Sequence, residues 1–245
     1  MGQIACNAST GLMAEAFSVT DAEWDAICTS PRGTWLMPHS DWPAVPKTSI
    51  RGLRFFAHHP GYSGTLPKPE SYAHTRLKID IVKAARAAGF RAELEVRGHD
   101  PLGAEWIADV LVFTGNGERI AFEVQLSSQH LRDFRAQTER YRRSGVRCCW
   151  VLSDQTVGLR LSKAIINENM EFYRVHGEFQ SDLEELMLFG VGLEGKDTYP
   201  AERPLLRFSR GRQIRRIQME EAIEGVVKGY PRWERPNWHW NPTIP

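Results

Sequence analysis

The chain has 245 residues, 25% of them charged, with 31 basic against 30 acidic side chains and a formal net charge of +1. That length is ample for a buried core, and the balanced charge excludes both wholesale disorder and a broadly basic nucleic-acid coat, so any polyanion contact has to come from local clustering. The longest apolar runs, 107–113 and 186–193, are too short to cross a bilayer, the first residues lack the basic and apolar regions of a secretory leader, and four cysteines are too few for a disulfide framework. The expectation is a soluble cytoplasmic protein with no membrane contact.

In chain order, residues 1–66 are rich in Pro, Trp and Ser with weak periodicity, punctuated at Pro31, Gly33, Pro38, Pro43, Pro46 and Pro60, which predicts an irregular N-terminal lobe. From Glu70 to Ala88 the pattern is helical, with Leu77, Ile81, Val82, Ala84, Ala85 and Ala88 on one face and Gly89 at the stop. Arg91–Val96 alternates as a strand. Trp106–Phe113 is a second strand, and Thr114-Gly115-Asn116-Gly117-Glu118 is a turn leading into a returning strand over Arg119–Leu126. Ser127 or Ser128 can cap a helix that runs to about Ser144 and ends at Gly145, and Cys148–Leu152 is a buried strand. The order helix, three strands, helix, strand defines an α/β core over 67–154. The remainder, 155–245, reads as a C-terminal α+β extension: a hairpin across Arg210-Gly211-Arg212, a helix from Met219 to about Lys228, a helix between 180 and 190, and an irregular Trp-rich tail.

Two carboxylates interrupt apolar strands, Asp109 in Trp-Ile-Ala-Asp-Val-Leu-Val-Phe and Glu123 in Ile-Ala-Phe-Glu-Val-Gln-Leu. Burying a carboxylate is costly unless it meets a metal, a cation or a water-filled cleft. If Gly115-Asn116-Gly117 form a three-residue loop, Thr114 faces Glu118 and Asp109 faces Glu123, with β-carbons roughly 5 Å apart on one face of the sheet. Such a pair suits a hard divalent cation, Mg²⁺ or Mn²⁺, that polarises a phosphoryl oxygen and activates water. The alternative is structural pairing with Arg97, Arg119 or another cation. Gln125, two residues on, offers an amide to orient water or phosphate. Glu70, His74 and Lys78 recur at i, i+4, i+8 on the first helix and supply an acid, a proton carrier and a cation, or else an ordinary solvated stripe. Arg132, Arg135, Arg140, Arg142 and Arg143 form a basic helix surface suited to backbone phosphates, or a salt-bridged solvated face. Glu93 and Glu95 lie on a neighbouring strand with no assigned partner.

Phe56-Ala57-His58, Glu70-Ser71-x-x-His74-x-x-x-Lys78, Ala108-Asp109-Val110, Phe122-Glu123-Val124-Gln125-x-Ser127, Arg140-Tyr141-x-x-x-Gly145 and Trp150-Val151-Leu152 together resemble the CoiA-like competence nucleases, of the PD-(D/E)XK superfamily, over roughly residues 50–153. The resemblance implies a restriction-endonuclease-like core and metal-dependent hydrolysis of DNA in transformation, recombination or defence against foreign DNA, with recombination proteins as possible partners. It makes Asp109 and Glu123 the metal pair, Glu70 the first-helix acid, and Tyr141 a residue near the cleft. Gln125 stands where most of the superfamily has a lysine. Met37-Pro38-His39-Ser40 stands where some relatives have a Cys-x-x-Cys zinc module, so a structural zinc is not expected. The alternative function is a catalytically silent nuclease fold that binds DNA or a recombination partner.

Overall fold

A computed structural model describes residues 2–65, 70–178, 186–210, 213–234 and 237–242. The chain divides into two compact units, Met1–Ser71 and Tyr72–Pro245. In the first, β1 (Ile4–Asn7) pairs with β2 (Met13–Glu15) and, after helix α1 (Asp21–Thr29), with β3 (Trp35–Leu36); β4 (Ala44–Thr48) and β5 (Arg54–His58) form a hairpin. The expected irregular lobe is thus a small ordered unit. Its strands have two to five residues, too few for alternation to show in the sequence, and its order comes from long-range pairing and a core of Trp24, Ile27, Met37 and Phe56. Thr20 and Glu23 close a capping box at the start of α1.

The second unit follows the expected order and then continues it. Helix α2 (Tyr72–Ala87) leads into β6 (Arg91–His99), β7 (Glu105–Phe113) and β8 (Arg119–Gln125), then α3 (Leu131–Arg143) and β9 (Val146–Ser153). After a π-helical turn over Asp154–Gly158 come α4 (Leu159–His176), β10 (Leu188–Val191), β11 (Leu206–Arg210), β12 (Gln213–Ile217), α5 (Met219–Val227) and a hairpin of β13 (Pro231–Glu234) and β14 (Asn237–Trp240). Seven strands make one sheet in the order β12-β11-β10-β9-β8-β7-β6. Pairs β8/β9 and β9/β10 are parallel, with α3 and α4 in their crossover connections, and the rest are antiparallel. The architecture is mixed α/β, with five α-helices among the described residues.

The faces of this sheet position everything that follows. Ala121, Cys148, Trp150 and Leu152 point to one side and bury against Phe134 and Tyr141 of α3 and Leu161 of α4. By strand alternation Ile120, Phe122, Val124, Cys149 and Val151 point to the other side, where they are equally buried and where α2 and α5 pack. Two buried indoles find acceptors: Trp150 Nε1 donates to Thr138 Oγ1 at 2.9 Å and Trp106 Nε1 to Ser144 Oγ at 2.8 Å.

Three expectations change here. Residues 159–176 gave no helical reading yet form the 18-residue α4, in which only Leu161 is buried. The Trp-rich tail is a hairpin rather than irregular chain, held by Trp240 against Phe208 and Tyr230. Helix α3 is preceded by His130 rather than capped by Ser127 or Ser128. Of the helix expected between 180 and 190, residues 180–185 lie outside the described residues, and Leu188 onward is strand. Strands β10 to β12, all beyond residue 154, extend the same sheet. No described helix is long and apolar enough to cross a membrane.

Candidate metal centre

The turn after β7 sets the register. Thr114 N–H donates to the Glu118 carbonyl at 3.0 Å, and Gly117 takes φ +85°, the left-handed position a three-residue loop requires. The ladder then runs Phe113↔Arg119, Val112↔Ile120, Leu111↔Ala121, Val110↔Phe122, so the next step sets Asp109 opposite Glu123. At that step main-chain pairing stops. Asp109 N–H donates to Glu123 Oε1 at 3.3 Å, and Val124 N–H donates to Asp109 Oδ2 at 2.9 Å. Two carboxylates thus replace the backbone acceptors of a strand pair, and β7 and β8 fork.

On the other side of β7 the pairs Leu94↔Val110 and Val96↔Ala108 bracket Glu95 opposite Asp109. Glu95 has φ +53°, shared among described non-glycine residues only with Asp41 of the first unit. A side chain in that region costs of order 1–3 kcal/mol and persists where surrounding structure imposes it.

Helix α2 meets the fork with the expected stripe. His74 Nε2 lies 2.9 Å from the Val124 carbonyl oxygen and 3.5 Å from Asp109 Oδ2; because a carbonyl only accepts, Nε2 carries the hydrogen. Lys78 is fully buried, its Nζ 3.2 Å from Glu95 Oε1 and 3.7 Å from Asp109 Oδ1. The stripe is therefore no solvated face. Glu70, two residues before α2, completes a group with His74 and Asp109 whose ligand atoms all lie within 4.8 Å of one another. Two carboxylates and an imidazole are donors for a divalent cation, and this group can hold one.

Glu123 belongs to different company. Its Oε1 accepts from Tyr141 Oη at 2.6 Å and its Oε2 from Gln137 Nε2 at 2.8 Å, both on α3. The expected register therefore holds while the expected shared face does not: Asp109 is turned to α2 and Glu123 to α3. Burial first, then the neighbouring Asp109 charge, pushes the Glu123 carboxyl up to about 8, against the lowering effect of the Tyr141 hydroxyl and the Asp109 N–H. Tyr141 is driven well above its ordinary range by the same burial and by Glu123.

Gln125 ends β8, where its Nε2 donates to the Ser127 carbonyl at 2.6 Å and to Ser127 Oγ at 3.1 Å. All five arginines expected at a phosphate surface have protein partners, Arg142 through Glu139 at 2.6 and 2.7 Å and Arg132 through Asp133 at 3.5 Å. Arg135 grips Glu168 at 2.8 and 2.9 Å, Arg140 donates to the Glu105 carbonyl at 3.0 Å, and Arg143 binds Asp100 Oδ2 at 2.9 and 2.7 Å. Arg132 is 83% exposed beside Asp133. Sequence reasoning left Glu95 without a role and did not reach Gln137. Extending the register one strand further, to β6, would have placed Glu95; the helix register that brings Gln137 under the sheet leaves no comparable trace.

Residues 70–192, half of the chain, match the family model described as competence protein CoiA, nuclease-like domain, a stretch that runs from Glu70 through β10. Among curated proteins and among solved structures nothing matches.

Proposed function

The chain belongs to the CoiA nuclease-like domain family, and from that membership we propose that it is a Mg²⁺- or Mn²⁺-dependent nuclease that hydrolyses DNA phosphodiester bonds, on a restriction-endonuclease-like core of the PD-(D/E)XK kind. The observation that carries the proposal is the convergence of Glu70, His74 and Asp109 at the strand fork. Glu70 and Asp109 are the oxygen donors that would hold the cation, and an oxygen-rich set with one imidazole suits Mn²⁺ as well as Mg²⁺. When bound, the cation supplies charge for a phosphoryl oxygen and lowers the pKa of water.

The chain's own residues have separate tasks. Asp109 is fixed by the Val124 N–H, so one of its oxygens is oriented before any ligand arrives. His74 is anchored through its Nε2 hydrogen on the Val124 carbonyl. Lys78 is buried too deeply to reach a phosphate and acts on Asp109. Glu123 binds the Asp109 N–H and so braces the fork from the α3 side, in place of the ligand role that the paired-carboxylate reading gives it. Gln125, its amide held by Ser127, shapes the rim. Arg132 is the exposed cation for the DNA backbone. Action in transformation or recombination, in the cytoplasm, completes the proposal.

The test is incubation of the purified chain with plasmid, linear duplex and single-stranded DNA, with and without Mg²⁺ or Mn²⁺, beside Asp109→Ala and Glu70→Ala. Metal-dependent cleavage by the parent and its loss in both variants is expected; undiminished cleavage in both defeats the assignment. One observation favours a second reading, a silent nuclease fold that binds DNA: Gln125 provides no cation, and its amide is already engaged. DNA retention without cleavage under every metal condition would select that reading.

A further inference from the structure

Glu95 is absent from the roles just assigned, yet it stands at the most constrained point of the sheet. Strand β6 keeps one register with β7 on both sides of it, Leu94↔Val110 and Val96↔Ala108. No inserted residue explains the left-handed backbone at φ +53°, as a bulge would. The departure aims the Glu95 carboxylate at Lys78 Nζ, 3.2 Å away, nearer than the 3.7 Å that separates Lys78 from Asp109. Lys78 itself is fully buried, where water contributes little screening and an ammonium exerts its full effect on neighbouring carboxylates.

We propose that Glu95 is a positioning residue of the metal centre: it draws the charge of the buried Lys78 toward itself, so that Asp109 stays net anionic and keeps its affinity for a divalent cation. This rests on the metal-dependent reading above and adds a residue to it. With Lys78 facing Asp109 alone, the pair would be neutral, and Glu70 would be the one net negative charge left in the donor group. With Glu95 present, Glu70, Asp109 and Glu95 against Lys78 leave two negative charges, matching a dication. Glu95 touches the cation's neighbour and acts through it. A glycine would relieve the backbone at this position, so the carboxylate is what the strained geometry retains.

The test is calorimetric titration of the metal-free, full-length protein with Mn²⁺ alone, without DNA, on the parent, Glu95→Gln, and Glu95→Gln combined with Lys78→Gln. Charge compensation predicts that Glu95→Gln weakens Mn²⁺ binding about tenfold or more and that the double substitution returns it to within about threefold of the parent, since removing both charges restores the balance at Asp109. A Glu95 that is merely structural gives no such recovery. Mn²⁺ affinity in folded Glu95→Gln equal to the parent's overturns the proposal. If Glu95→Gln alone does not fold, the double variant decides, and lost binding there overturns it equally. A parent that takes up no Mn²⁺ overturns the metal-dependent reading and this proposal together, whereas parental binding with an unaffected Glu95→Gln overturns only the role of Glu95.

Discussion

The two sides of the strand fork treat a carboxylate in opposite ways. On the α2 side Asp109 meets a buried ammonium, an imidazole and a main-chain N–H, and it remains 19% exposed. On the α3 side Glu123 is nearly inaccessible and meets a phenol, an amide and a main-chain N–H, all neutral donors. Neutral donors offset only part of the cost of burying a charge, so burial and the neighbouring Asp109 charge prevail and push the Glu123 carboxyl up to about 8. A cation offsets that cost, which suits the α2 side to take a metal. Two acids in register across a ladder are thus separated in chemistry by the helix each one meets.

The sharpest way to break this contrast is Asp109→Asn, which keeps an acceptor for the Val124 N–H and removes the charge. Metal-dependent DNA cleavage should fall by about a thousandfold, on the order seen when one preorganised electrostatic group is lost, with the urea midpoint little changed. Comparable cleavage by Asp109→Asn would show that the α2 side does not carry the chemistry. Next in size, Lys78→Met leaves Glu95 and Asp109 facing each other without their buried cation. Equilibrium urea unfolding should register a loss of about 3–5 kcal/mol, the cost of breaking a buried ion pair from one side; a change under 1 kcal/mol would mean that the ammonium is not integral to the fork.

The α3 side is probed by pH. Glu123 has a folded pKa raised above its ordinary value, so between about pH 4.5 and 8 the folded state binds more protons than the unfolded state. Stability of the metal-free protein therefore falls as pH rises through that window, at up to about 1.4 kcal/mol per pH unit from this group. Glu123→Gln should flatten the slope and leave the variant the more stable protein near pH 8, by thermal melts across the range. A slope that survives the substitution assigns it to other groups. The smallest effect is on the rim: Arg132→Ala should weaken low-salt DNA retention severalfold and reduce its salt dependence by about one counterion, while stability stays within about 0.5 kcal/mol. Unchanged retention would remove Arg132 from the DNA surface.

Much of the second unit is legible in the sequence because local chemistry and long-range structure agree there. Gly117 specifies a three-residue loop, that loop specifies a register, and the register places Asp109 across from Glu123. Helices α2 and α5 and the β11–β12 hairpin follow from apolar periodicity and turn residues. The first unit is less legible since its strands are short. At the site, alternation predicts one shared face for the two acids, but alternation holds only while a strand stays regular, and β7 and β8 stop pairing at that step.

By itself the sequence determined the two hairpins β7–β8 and β11–β12, the register that sets Asp109 opposite Glu123, and which family the chain resembles, because turn stereochemistry, side-chain period and motif order are all written locally. Only the tertiary structure decided that Asp109 turns to α2 and Glu123 to α3, that Lys78 is buried rather than solvated, and that Glu95 stands in a strained backbone beside it. Those outcomes depend on which helix packs against which face and on how charge is divided among groups far apart in the chain, and no local pattern of residues encodes that division.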